Sequence, residues 1–383
     1  MDFRVDLFQN PKIGSSRLAA LSDRFPIKAL SFQTSRFGGF DEGSFGFEDV
    51  PRDVLFAALN DWRFNRIQVS TASGEIAYEG MIAKIAATDG EERYTRSIDD
   101  IVNRLYVLRR VPRVNSGSRI AITTRNDTTS QDFFGIIKAE RLDLSGLGFL
   151  TEANANRRGD LFLARRKVAR ADSYALKGEL SSNSKRTLQI TTRGFFDSLD
   201  YLETRVVYLN AVRTSKIAKD LIGSTANQLL ASDTTAIEDT NTYITYNERR
   251  NLKTPLDILS TVATYGTDGF ELAIQVFEDR ILRLSPRATS GRYVIRPDSA
   301  RIWTEGFAAS ERWKVRAGDY ARRIDFDSTI ASFSDINDDP RAILIERTKY
   351  DALRDSLELV PFGKFTVEEL IGRMARKSRP LKG

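Results

Sequence analysis

Residues 28–84 constrain this chain more than any other stretch, because apolar and polar side chains alternate along them in short runs broken by turn residues. Leu30, Phe32 and Thr34 alternate with Ser31, Gln33 and Ser35. That two-residue period belongs to a strand with one buried face. Residues 36–43 (RFGGFDEG) read as a turn, since paired glycines allow φ > 0. Phe45 and Phe47 then alternate with Gly46 and Glu48 as a second strand. Asp49 and Pro51 read as the cap and first residue of a helix. Its apolar face is Val54, Leu55, Ala58, Leu59 and Trp62. Ile67, Val69 and Thr71 form a third strand, Ser73 and Gly74 turn, and Ile76, Tyr78 and Gly80 carry a fourth into Met81 and Ile82. The order strand, strand, helix, strand, strand predicts a small β-barrel or sandwich interrupted by one helix.

Composition narrows the chemistry. The chain has 383 residues with neither Cys nor His. Disulfides, thiol nucleophiles, Cys/His zinc sites, imidazole bases and Ser-His-Asp triads are therefore excluded. The length suits two to four domains. A net charge of +6, from 58 basic and 52 acidic residues, is spread along the chain and supports solubility more than nucleic-acid binding. No apolar h-region opens the sequence and no apolar run reaches membrane-spanning length, so neither a secretory signal nor a membrane span is expected.

Carboxylate pairs are the main catalytic route left. The clusters are Glu91-Glu92, Asp99-Asp100, Glu278-Asp279, Glu368-Glu369 and residues 335–339. Adjacent carboxylates in polar turns do not give the roughly 5–9.5 Å separation of a glycosidase, so they read as solvated turns and caps. Asp335, Asn337, Asp338 and Asp339 make an oxygen-rich loop without the glycine and distal glutamate of an EF-hand. Gly38 and Gly43 lie between strands with no Lys-Ser/Thr after them, which excludes a P-loop. No catalytic, metal or cofactor-binding residue is assigned.

The rest of the chain alternates elements. Phe3, Val5 and Leu7 suit an edge strand. NRLYVLRRV (103–111) fits a short helix or a strand, and its β-branched and aromatic content selects the strand. RIAITT (119–124) is a strand, and SQDFFG (130–135) a helical turn ending at glycine. Residues 151–169 are helical, with Thr151 as cap, Gly159 weakening the middle and Arg157, Arg158, Arg165 and Arg166 on a solvated basic face. Leu188, Ile190 and Thr192 alternate. Residues 214–223 form a capped amphipathic helix. Thr254 caps the best-signalled helix, with Pro255 first, Asp257 at the third position and Gly266 as stop. A hairpin follows through Glu278-Asp279. Trp303 and Trp313 fall on expected strands, as do residues 324–330. Thr366 and Glu369 make a capping box, and the tail beyond Arg373 is basic. Residues 28–97 and 173–208 share strand, glycine and aromatic features, which hints at two related β-modules.

The segments LSFQTSRFGGFDEGSFGF and NRIQVSTASGEIAYEGMIAKI, with a helix between them, resemble the opening β-domain of tailed-phage tail-tip proteins, the baseplate hub and distal tail family. SQDFFG, LQITTRGFFDSLDYLETRVVYL and the helix, loop, helix, hairpin succession of residues 214–297 are similar to later steps of the hub proteins. The resemblance implies an α+β, mainly β fold of hub-like β-barrel modules with inserted helices and a small α+β domain. It divides the chain into a first β-barrel module (1–110), a second β-module with an inserted helix (111–213), a small α+β insertion (214–300), and closing strands with a basic C-terminal helix (301–383). It implies a non-enzymatic structural protein of the virion tail tip, assembled in the host cytoplasm and without cofactor or metal. The expected partners are further copies in a ring, a trimer in preference to a hexamer, together with tail-tube, tape-measure and tip or fibre proteins, with DNA passing transiently through the lumen. Arg36, Phe37 and Phe40, on the turn, are candidates for a subunit interface. The alternatives are a hexameric distal tail protein and, in a different class, a carbohydrate-binding protein or carboxylate-dependent polysaccharide depolymerase with a cleft flanked by Trp303 and Trp313.

Overall fold

The structure is a computed structural model that describes residues 3–90, 92–99, 101–113, 116–166, 173–176, 186–202, 204, 207–247, 253–267, 272–285, 292–295, 302–303, 309–323 and 342–361. The chain opens with β1 (Phe3–Phe8), β2 (Arg17–Ala20), β3 (Ile27–Ser35) and β4 (Phe37–Glu48). Then come α1 (Arg52–Asp61), β5 (Arg66–Thr71), β6 (Ile76–Asp89) and β7 (Glu92–Ser97). The expected alternation holds: Leu30, Phe32 and Thr34 are buried, as are Phe45 and Phe47. Burying each such Phe or Leu contributes about 1.5–3 kcal/mol. Two local expectations change. β1 is not an edge, since β5 pairs along all of it and β2 covers its other side. Pro51, with no side-chain hydrogen bond, caps α1, while Asp49 takes a positive φ of 55°.

The next segment is a separate unit. β8 (Arg104–Pro112), β9 (Ser118–Asn126), α2 (Thr128–Phe134), β10 (Ala139–Asp143) and α3 (Glu152–Arg166) surround a small core of Val102, Leu105, Val107, Leu144, Ala155 and Leu163. β8 lies in the middle, antiparallel to β9 and parallel to β10. Gly159 is required here: a Cβ would come within 2.8 Å of Val107, so the glycine lets α3 press onto β8.

The chain then rejoins the first sheet through β11 (Ser173–Leu176), which pairs with β7, and β12 (Thr187–Arg193). β12 lies between β4 and β6, antiparallel to both. This corrects the placement of residues 173–208 in a second module. Leu188 and Ile190 complete the core of the first sheet, and the chain's separate second β-sheet lies earlier, at residues 104–143.

β13 (Val207–Arg213) and β14 (Tyr243–Asn247) form a two-stranded sheet. With α4 (Thr214–Ser224), α5 (Pro255–Tyr265) and the hairpin β15 (Ala273–Val276) and β16 (Arg283–Ser285), they complete the α+β part. α5 forms as expected: the Thr254 hydroxyl accepts the Asp257 N–H at 3.1 Å, and Gly266 ends the helix at φ 63°. The final strands are β17 (Arg292–Ile295), β18 (Ile302–Trp303), β19 (Ala309–Ser310), β20 (Tyr320–Arg323), β21 (Ala342–Asp351) and β22 (Ser356–Pro361). The strand expected around Trp313 is instead a 3-10 turn, Arg312–Lys314, whose buried indole joins the core.

The fold is thus α+β and mainly β. The main sheet runs β2-β1-β5-β6-β12-β4-β3-β21-β22, with side branches, and among the described residues no ladder closes it into the expected barrel. Curling closes the core by aromatic packing instead. The Phe3 ring of β1 lies 6.0 Å from Tyr350 of β21 and 6.5 Å from Phe32 of β3. Both ends of the ladder, β2 and β22, keep an outer edge without a strand partner among the described residues.

Candidate functional site

Residues 36–43 are the point where one strand changes partner, not an exposed turn. Arg36 alone turns, and β4 runs on from Phe37. β3 takes one edge of β4. On the other edge, Phe37, Gly38 and Gly39 pair in parallel with β15, and residues 42–48 pair antiparallel with β12. Phe40 and Asp41 occupy the gap, and Gly194 fills it: its N–H donates to the Asp41 carbonyl at 2.6 Å. The Tyr78 hydroxyl donates to the same oxygen at 3.0 Å and lies 2.7 Å from the Thr192 hydroxyl. A Cβ on Gly194 would collide with the Phe40 carbonyl, and one on Gly39 with the Val276 backbone. Both positions serve close backbone approach.

The three candidate interface residues are therefore not an exposed patch. Arg36 is 6% exposed, donates from Nε to Glu346 at 3.0 Å and lies over the Phe37 ring at 4.3 Å. Phe37 is half-buried against the core formed by α4 and α5. Phe40 is 2% exposed, between Tyr78 and Phe277, with ring centroids 5.3 and 5.4 Å away. The reason is that continuing β4 through the glycines brings β15 onto it and closes the aromatics inside.

Two charged constellations flank this gap. In the first, Asp197, at the start of the 3-10 turn Asp197–Tyr201, hydrogen-bonds the Asp41 carboxyl. Burial, then the neighbouring Asp41 charge and that hydrogen bond, push Asp197 up to about 7; Arg193 opposes this and Asp200 adds to it. Asp197 thus holds its proton up to about neutral pH. Touching carboxyls leave no room for a sugar between them, unlike glycosidase pairs. The arrangement pins β4 to the turn after β12.

The second is buried more deeply. Glu79 of β6 accepts from Arg66 Nη1 at 2.9 Å and from Arg280 Nε at 3.0 Å. Arg280 also donates to the Pro11 carbonyl and lies 3.7 Å over the Phe195 ring. Burial lowers the Arg280 pKa, and Glu79 counteracts it. Arg280 stands on the β15–β16 turn at φ 56°, so the triad clamps the α+β part to the curled sheet. Two cations to one carboxylate, all desolvated, give a clamp that breaks badly if one member is lost.

The adjacent carboxylates read from the sequence are engaged in turns and ion pairs. Asp99 accepts the Ser97 hydroxyl at 2.8 Å, Glu92 accepts the Tyr94 hydroxyl, Asp279 pairs with Arg283, and Glu278 lies 2.9 Å from Arg316. Glu91, Asp100, Glu368, Glu369, residues 324–330 and 335–339, the basic tail and the Trp303 side chain lie outside the described residues. Trp313 is 5% exposed and packs 6.3 Å from Phe3, so it does not flank a cleft. Among the described residues no group of three carboxylates could hold a metal ion, and no helix is long and apolar enough to cross a membrane. Sequence reading missed both constellations because their members are distant in the chain. The one available signal was Glu79 inside an otherwise apolar strand, IAYEGMIA.

No family model and no curated protein sequence matches this chain. Among solved structures it is similar to a tail protein from Neisseria meningitidis, with 9% identity over 94% of this chain and 96% of that one, at a TM-score of 0.40. It is similar to a 43 kDa tail protein of a Shewanella oneidensis prophage, with 8% identity over 91% and 93%, at 0.38. A third is an Escherichia coli type VI secretion component described as similar to two T4 bacteriophage tail proteins, with 9% identity over 89% and 75%, at 0.38. Geometry shared to this degree carries no functional argument by itself.

Proposed function

We propose that the chain is a structural subunit of a phage tail, forming a baseplate hub ring that closes the tail tube and joins it to tip and fibre proteins. The observation that carries this reading is the open ladder. β2 and β22 end the curled sheet with outer edges that no described strand covers. Such edges seek strands, and a head-to-tail contact of β22 on β2 of the next copy closes on itself when the rotation fits. The sequence resemblance of residues 28–84 to tail-tip proteins points the same way. Three copies are preferred because, besides the β13–β14 pair, each chain brings two larger sheets, the curled one and the three-stranded one, so that three chains set six of these around an axis. The two sheets differ in size, and the ring is only quasi-six-fold. Native mass spectrometry of the purified chain tests this: three copies are expected, six would assign the distal tail ring, and a monomer at tens of micromolar would overturn the ring.

A further inference from the structure

The inserted unit of residues 102–166 holds 12 basic residues (11 Arg, 1 Lys) against 6 acidic ones, a balance of +6. The whole chain also carries +6, so the other residues sum to zero. The charge excess that looked dispersed along the sequence is concentrated in one small unit.

Its sheet has two different faces. α3 covers one, since Gly159 sits against Leu105 and Val107 of β8 and Arg125 of β9. Strand register sets the other. Arg104, Tyr106, Leu108 and Arg110 of β8 share it with Ile120, Ile122 and Thr124 of β9 and with Ala139, Arg141 and Asp143 of β10, Leu108 being buried. The Phe149 bridge to Arg110 extends the last row, giving Phe149, Arg110 and Ile120 side by side. Phe149 is 62% and Ile120 48% exposed, and Arg110 and Arg141 are exposed as well. Arg110 has no carboxylate partner among the described residues, nor have Arg113 and Arg119 at the tip of the same hairpin. Among the described residues Arg141 has only the nearby Asp143.

We propose that this open face binds single-stranded nucleic acid without sequence preference. Rows along β8 are spaced roughly 7 Å apart, so half-buried Tyr106, beside Arg141, and exposed Phe149, beside Arg110, offer ring faces two rows apart, with Ile122, Leu108 and Asp143 in the row between. Aromatic side chains on which bases stack, set among cations that follow the phosphates, are the chemistry of sequence-tolerant single-strand binding. Guanidinium forks, rather than ammonium groups, suit phosphate oxygens. An acidic protein would use the arginines and leave the exposed Phe149 ring without a role. The inference does not depend on the ring reading.

Fluorescence anisotropy of the full chain with a labelled 20-mer oligodeoxythymidylate tests it. With about three phosphates neutralised, affinity should drop roughly twentyfold between 50 and 200 mM salt. The double variant Arg110→Glu/Arg141→Glu and the single variant Phe149→Ala should each weaken binding at least tenfold with an unchanged melting curve, since all three side chains are exposed. Arg157→Glu/Arg158→Glu, on the opposite α3 side, should bind as the parent does. Absence of binding at 50 mM salt, equal loss in the α3 variant, or full retention in Phe149→Ala would overturn the proposal. Displacement by polyglutamate at equal charge concentration would assign the face to an acidic protein instead.

Discussion

The curled sheet and the inserted unit treat arginine in opposite ways. In the curled sheet and where the α+β part meets it, Arg36, Arg66 and Arg280 are buried, each paired with a carboxylate and laid over a phenyl ring. In the inserted unit the main pairs, Arg125 with Asp160 and Arg109 with Glu152, use exposed carboxylates, and Arg110, Arg113 and Arg119 have none among the described residues. Buried pairs are costly to form and worse to break, whereas exposed pairs contribute about 0–1 kcal/mol. Charge in the first region fixes how parts of the chain sit together; charge in the second is available to other molecules.

The largest contrast to test is the clamp. Glu79→Ala should destabilise by about 3–5 kcal/mol, because two buried guanidinium groups lose their counter-charge. Asp160→Ala, in the inserted unit, should cost under about 1 kcal/mol. Denaturant titration reads both, followed by tryptophan fluorescence for the curled sheet, whose core holds Trp62 and Trp313, and by circular dichroism for the inserted unit, which has no tryptophan. Similar losses in the two variants would erase the distinction.

The aromatic residues sharpen it at nearly the same scale. Phe40→Ala should cost about 3–5 kcal/mol by opening a cavity beneath Tyr78 and Phe277. Phe149→Ala should change stability by no more than about 0.5 kcal/mol, as surface substitutions do.

A smaller effect is expected at the carboxyl pair. Asp197 titrates near 7 in the folded chain against an ordinary value of 3.8. Between those values the folded state holds the extra proton, so stability should fall as pH rises from about 4 to 7 and level off above. Asp197→Asn should remove this fall, on the order of 2–3 kcal/mol between pH 5 and 8, and be the more stable protein at pH 8. Denaturation midpoints from pH 5 to 8 check this, and an unchanged slope in the variant would assign the pH dependence elsewhere.

The smallest contrast is local. Thr254→Ala should cost about 1 kcal/mol through loss of the α5 cap, visible as reduced helicity and an earlier denaturation midpoint.

Local chemistry was legible in the sequence. The alternation of β3, the cap, proline and glycine of α5, and the Gly135 stop all act within a few residues, and all stand where their side chains put them. Sheet topology was not. RFGGFDEG carries turn residues, yet its Gly39 makes room for the backbone of Val276, and its Phe40 carbonyl is met by Gly194. TLQITTR looked like part of another module because alternation gives a strand's faces but not its neighbours. Phe40 looked exposed for the same reason: β15, which closes over it, lies more than two hundred residues away. The Glu79 clamp and the Asp41–Asp197 pair depend on these same long-range meetings.

The absence of cysteine makes the ring itself open to a direct measurement. Leu18 on β2 and Glu358 on β22 are exposed, and each can be replaced by Cys in a separate chain. Leu18→Cys chains mixed with Glu358→Cys chains under mild oxidation can join only between molecules. Head-to-tail closure through the sheet edges should give a disulfide-linked pair of unlike chains in high yield, lost on dilution below the assembly concentration. Chains that assemble fully while their thiols stay free would contradict closure through β2 and β22.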